Sequence, residues 1–168
     1  MTDAASPFME KLGGHFGARV RISQQRGEIT LEADPADYKS VLFALRDRDE
    51  FAFEQMIDLC GVDYLSYGEA EWDTTDVSSE GFSRGVQGEG PGRFTWAGRP
   101  KAGGPARRFA TVLHLLSIRH NRRIRVRCFA DDNTMPIIDS SVDVYPVANW
   151  FEREAFDLFG IIYSGHPD

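Results

Sequence analysis

Glu152, Glu154 and Asp157 put three carboxylates within one short stretch, with Arg153 among them and His166 close behind. Paired carboxylates can pass a proton between them and run acid–base chemistry. Helical spacing works against that here, because Glu152 and Glu154 point about 200° apart and cannot share one proton or one substrate. Arg153 and Asp157 stand i, i+4, which makes an intrahelical ion pair the ordinary explanation of both. The same stretch carries Trp150, Phe151, Phe156, Leu158 and Phe159. Charges and large apolar groups on one helix suit an element lying between two bodies. An interface is therefore expected before a catalytic centre.

The other reactive side chains give weaker signals. His15, His114, His120 and His166 fall on different elements, with no HxH or HExxH spacing for a metal. His114 is expected as a strand residue and His120 as a turn residue, and His166, in Gly165-His166-Pro167, is the one expected to make a specific contact. The arginines of residues 119–127 resemble a nucleic-acid stripe, yet no exposed aromatics interleave with them. A solvated or partner-facing strand surface, paired with acidic neighbours, is the expectation. Gly85-Val86-Gln87-Gly88-Glu89-Gly90 follows no buried strand and lacks the Gly-Lys-Ser/Thr of a phosphate loop. No Gly-x-Ser-x-Gly elbow occurs. Cys60 and Cys128 lie far apart, without metal-type spacing, and are expected reduced and buried.

These groups need a framework. Phe8, Leu12 and Phe16 recur every four residues and predict a helix over 7–16. Val20 and Ile22, then Ile29, Leu31 and Ala33, alternate with polar residues and predict two strands joined at Gln25-Arg26-Gly27. Asp34-Pro35 reads as an N-cap with proline at the first helical position, and Tyr38, Val41, Leu42 and Leu45 give an apolar stripe to about residue 48. Residues 54–59 are expected to form a helical turn that runs into a strand at 62–66. Residues 109–118 and 123–128 predict a long antiparallel hairpin turning at His120-Asn121-Arg122, with Arg123, Arg125 and Arg127 on one side of its second strand. Residues 131–145 predict a loop with a short strand. Pro146 opens a final helix to about Phe159, which Gly160 ends as a C′ residue.

Residues 68–106 are dominated by glycine, serine, aspartate and arginine, punctuated by Glu89-Gly90-Pro91-Gly92 and Gly103-Gly104-Pro105, and suit a long irregular insertion. Trp72, Phe82, Phe94 and Trp96 lie within it, so a loop ordered by docking on another surface is expected slightly ahead of one pinned on its own domain. The whole reads as one α+β domain over residues 1–168, a single mixed or antiparallel sheet with helices packed on it.

At 168 residues and 42% hydrophobic, the chain is large enough for a real core. A formal charge of −7 argues against nucleic acid as the main partner. No apolar run approaches the roughly 20 residues of a membrane-spanning helix, and the first residues resemble no signal peptide. Any membrane association is expected through a partner.

One resemblance is specific. Asn149-Trp150-Phe151-Glu152-Arg153-Glu154-Ala155-Phe156-Asp157-Leu158-Phe159-Gly160-Ile161, followed by Gly165-His166-Pro167-Asp168, resembles the signature of the thirty-kilodalton subunit family of respiratory complex I. Its bacterial members are the C subunits of the proton-pumping NADH-quinone oxidoreductase. The hairpin and Asp58-Leu59-Cys60-Gly61-Val62-Asp63-Tyr64 resemble the same family. The resemblance implies a subunit without catalytic residues or cofactors of its own. It implies partner subunits that carry FMN and iron–sulfur clusters, with NADH and quinone as substrates of the whole complex. It implies a scaffold in the peripheral arm against the forty-nine-kilodalton (D) subunit near the quinone site, on the cytoplasmic face of the bacterial inner membrane. Glu152, Arg153, Glu154, Asp157, Gly160 and His166 would be its subunit-interface residues. In the family the signature continues past His-Pro-Asp into basic, leucine-rich residues and a tail over a partner, whereas these 168 residues end at Asp168. The related subunit of a membrane-bound hydrogenase or another quinone-reducing complex is the second expectation. A small hydrolase using Glu154 or His166 is the third.

Overall fold

The computed structural model describes residues 7–65 and 106–168. The expected insertion at 68–106 lies outside the described residues, apart from Ala106.

Helix α1 (Pro7–Phe16) is followed by strands β1 (Val20–Gln25) and β2 (Glu28–Ala33), helix α2 (Pro35–Asp47) and strand β3 (Gln55–Asp63). The hairpin β4 (Phe109–Ser117) and β5 (Arg122–Phe129) comes next, then β6 (Ile137–Asp139), α3 (Ala148–Phe159) and β7 (Ile162–Ser164). Among the described residues, five strands form one sheet in the order β1-β2-β5-β4-β3. Only β2 and β5 run parallel within it. The expected α+β class with a mixed sheet is what the chain adopts.

Strand register explains the two faces of the sheet. Ile22, Leu31, Val126, Leu113 and Leu59 are successive partners across all five strands, so one apolar row runs the full width. The three α-helices among the described residues bury their stripes on this face: Phe8, Leu12 and Phe16 from α1, Tyr38, Val41, Leu42 and Leu45 from α2, and Ala148 and Ala155 from α3. The adjacent row is Arg21, Glu32, Arg127, Val112 and Cys60, and it faces away from the helices. Side chains alternate along a strand, so a shift of one residue would exchange these rows and bury the arginines.

Local chemistry accounts for the turns. Arg26 and Gly27 both have positive φ, 51° and 83°, as a two-residue hairpin turn of type I′ requires. Asp34 is the N-cap of α2 with Pro35 behind it, but its carboxylate makes no cap bond and instead accepts from Arg21 Nη2 at 3.2 Å. Gly160 ends α3 in the left-handed conformation at φ 71°, its N–H donating to the Phe156 carbonyl at 2.8 Å.

Three expectations need correction, and one strand had no expectation attached. Residues 54–59 are not helical, because β3 is extended from Gln55 onward. Its register shifts between Met56 and Asp58, and this bulge sets Met56 and Leu59 on the same buried face three residues apart. A helical spacing thus arises within a strand. Helix α3 begins two residues after Pro146, which sits in a preceding turn. Cys60 is exposed, since it ends the outward row on the sheet's edge strand, whereas Cys128 is buried as expected. Strand β7 carries no alternation long enough to be seen in sequence, and it pairs with β6 in parallel.

Candidate functional site

Helix α3 presents two unlike sides. Ala148, Glu152, Ala155 and Phe159 are spaced four, three and four apart, and this stripe turns toward the core. It can lie close to β3 because the strand carries Gly61 at the crossing: a Cβ there would stand 2.8 Å from Phe159 Cδ2 and 3.1 Å from Ala155 Cβ. The opposite side holds Trp150, Arg153, Glu154 and Asp157, all exposed. Trp150 is 73% exposed, Leu158 66% and Phe156 53%. Large apolar side chains left in water on a helix that also bears charges make this face a candidate contact surface.

The carboxylates divide as the helical angle requires. Glu152 is 1% exposed and accepts from Ser140 Oγ at 2.7 Å, Ser141 N at 2.7 Å and Ser141 Oγ at 2.6 Å. Three short bonds offset the cost of burying the group. They also tie α3 to the turn between β6 and the helix. Glu152 therefore meets its own chain and does not reach the surface. Glu154 and Asp157 point outward, and neither has an ion-pair partner among the described residues.

Arg153 departs from the expected i, i+4 pairing. Its Nη1 lies 3.1 Å from Asp168 Oδ2, and its guanidinium stands 5.2 Å from the Trp150 ring centroid. Asp168 is brought there by His166, whose Nε2 meets the Asn149 carbonyl at 3.1 Å and whose Nδ1 accepts from Asp168 N at 3.1 Å. The same Nδ1 also stands 2.8 Å from the Asp168 main-chain oxygen. The expected specific contact of His166 is thus to the first turn of α3. Of the six motif residues, Glu152 and Gly160 shape the helix from inside and below. His166 anchors the segment after β7, and Arg153, Glu154 and Asp157 face out.

The remaining reactive groups are held in structural roles. His114 sits on β4, its Nε2 accepting from Arg125 Nε at 3.2 Å, and His120 lies in the hairpin turn with Nε2 at 2.8 Å from the Asp49 carbonyl. Arg125 pairs with Glu28 and Arg127 with Glu32, so two of the three arginines in the row are matched by acids on the neighbouring strand β2. Partial burial pushes the Cys60 thiol up, with the charges of Asp58 and, more weakly, Glu154 adding to it and Arg125 opposing. A thiol raised in this way is a poor nucleophile near neutral pH. Among the described residues, no three His, Cys, Asp or Glu converge to hold a metal ion. No helix among them is long and apolar enough to cross a membrane.

Ser140, Ser141 and Gly61 are the functional neighbours that residue-by-residue reasoning missed. A usable signal existed for Glu152 itself, since it shares the stripe of Ala148, Ala155 and Phe159 and had to face inward.

Residues 31–168 match the family described as respiratory-chain NADH dehydrogenase, 30 Kd subunit. The C subunit of NADH-quinone oxidoreductase from Xylella fastidiosa (strain 9a5c) is 54% identical over 178 aligned positions, covering all of this chain and 70% of the relative. The C subunit from Xanthomonas oryzae pv. oryzae is 52% identical with the same coverage. Among solved structures, a trypsin-resistant fragment of Nqo5 superposes with a TM-score of 0.64 at 23% identity, over 96% of this chain and 98% of that one. A chain of the membrane-bound sulfane sulfur reductase, an archaeal respiratory membrane complex, gives 0.59 at 14%, over 94% of this chain and 69% of that one. At those identities the two structures speak for the fold alone. The family match and the close relatives together place this chain in the 30 Kd subunit family of the respiratory-chain NADH dehydrogenase, whose bacterial members are the C subunits of NADH-quinone oxidoreductase.

Proposed function

We propose that this chain is a non-catalytic scaffold of the peripheral arm, packed by the outward face of α3 against the forty-nine-kilodalton (D) subunit near the quinone site. Electrons then pass from NADH to quinone through neighbouring subunits that hold the FMN and the iron–sulfur clusters, and proton translocation belongs to the whole complex. The chain is peripheral on the cytoplasmic face of the inner membrane, held there by its partners.

One observation carries this reading: Trp150, Phe156 and Leu158 stand exposed on a helix whose other side is locked to the core through Glu152 and Gly61. Each such side chain contributes up to about 2 kcal/mol when a partner removes it from water. A rigidly held helix loses little freedom on docking, which favours its use as a contact element.

The test is co-purification with the D subunit, comparing the unaltered chain with Trp150→Ala/Leu158→Ala. Retention by the unaltered chain and loss by the variant is expected. Equal retention would move the interface off α3, and no retention by either would remove the D subunit as the partner.

A further inference from the structure

Resting on that reading of α3 as the contact element, we infer that the partner segment seated on it is basic, with an arginine placed over Trp150 between Glu154 and Asp157. Trp150, Glu154 and Asp157 follow at i, i+4 and i+7, so they lie along one line of the helix surface. Arg153 is adjacent, but its charge is already matched by Asp168 at 3.1 Å. The outward face is left with two carboxylates that have no cation among the described residues. An indole that remains 73% exposed stands beside them, although Arg153 already lies over it.

An acidic or apolar partner would strip water from Glu154 and Asp157 without replacing it, and a neutral one would have to bring several N–H or O–H donors to each, as Ser140 and Ser141 do for Glu152. A partner cation removes that obstacle. Arginine fits better than lysine, because its planar guanidinium can lie on the indole while its N–H groups reach carboxylates on two sides. Leu158, 66% exposed, lies about 80° round the helix from Trp150 and calls for an apolar residue beside the arginine, whereas Phe156 faces a different side. The partner chemistry is therefore a basic residue beside an apolar one, not a lipid surface or a nucleic acid. Charge at this place fixes register and rejects wrong partners.

The experiment uses the assembled NADH-quinone oxidoreductase in membranes and follows incorporation of the tagged full-length chain. Three forms are compared: unaltered, Glu154→Gln/Asp157→Asn, and Trp150→Ala/Leu158→Ala. A photo-crosslinking phenylalanine at Leu158 then identifies the neighbouring peptide. The inference expects the amide pair to lower incorporation about tenfold or more. It also expects high salt to weaken the unaltered chain more than the amide pair, and a crosslinked peptide from another subunit that contains arginine. Full incorporation of the amide pair with loss of the alanine pair would overturn the basic partner while leaving α3 as the interface. Full incorporation of all three would overturn both. An adduct within this chain, or on a peptide without a basic residue, would overturn the inference alone.

Discussion

Strand β3 and helix α3 meet at Gly61 and Ala155, where a Cβ on the glycine would stand 3.1 Å from the alanine methyl. Phe159 and Ile161 crowd the same point at 2.8 and 3.1 Å. A phenylalanine ring can turn aside, but the Ala155 methyl is fixed to the helix backbone. Gly61→Ala therefore pushes the helix off the sheet and costs about 1–3 kcal/mol. Urea unfolding checks it through a lower midpoint. An unchanged midpoint would mean that the helix yields freely at this crossing.

Glu152→Ala separates the inward carboxylate from the outward ones. It leaves Ser140 Oγ, Ser141 N and Ser141 Oγ without their acceptor and opens a void, for a loss of about 2–5 kcal/mol. Glu154→Ala, at the surface, stays within about 0.5 kcal/mol. Denaturant titration of both variants gives the comparison. Similar losses would contradict the division of roles around α3.

Much of this was legible because the repeats are uninterrupted. Phe8, Leu12 and Phe16, the stripe of α2, and the alternation from Ile124 to Cys128 each keep one period through a whole element. β3 was misjudged because the bulge after Met56 replaces a two-residue period with a three-residue one. The Arg153–Asp168 pair was illegible for a different reason. It depends on β7 and on His166 bonding the Asn149 carbonyl, which bring residues distant in sequence to one end of the helix. Local spacing favoured Asp157, and a longer-range contact prevailed.

Arg153→Ala removes an exposed ion pair and a stacking contact on Trp150, both open to water. Such contacts contribute about 1 kcal/mol or less to a domain. Trp150 loses its orientation, however, so incorporation into the complex falls by more than the domain's own stability. A thermal melt of the subunit paired with a co-purification assay measures the two losses. Equal losses in both would count against an interface role for this arginine.

Glu32 sets an acid limit on the fold. Its carboxylate accepts from Arg21 at 3.1 Å, Arg107 at 2.7 Å and Arg127 at 2.7 Å. Burial raises its pKa, but the hydrogen bonds and charges of Arg107 and Arg127 outweigh burial and hold it below the ordinary 4.5. A depressed folded pKa means stability that is complete above 4.5 and lost as pH falls through the lower folded value. Glu32→Gln should cost about 1–3 kcal/mol at neutral pH and flatten the decline on the acid side. Stability measured against pH in both proteins decides it. Parallel acid limbs would assign the loss to other carboxylates.

The two thiols should separate by strand row. Cys60 ends the outward row of the sheet and Cys128 lies on the inward face of β5, so a maleimide should label one thiol per native chain and the second only in denaturant. Burial and the Asp58 charge hold the Cys60 pKa above the ordinary 9.0, so labelling is slow at neutral pH and quickens as pH rises through the alkaline range. Asp58→Asn removes part of that opposing charge and speeds the reaction at fixed pH, and Glu154→Gln does the same to a lesser degree. Rates unmoved by either substitution would mean that burial alone suppresses the thiol. Two thiols labelled in the native chain would mean that the helices open readily from the sheet, and α3 could not then serve as a rigid contact element.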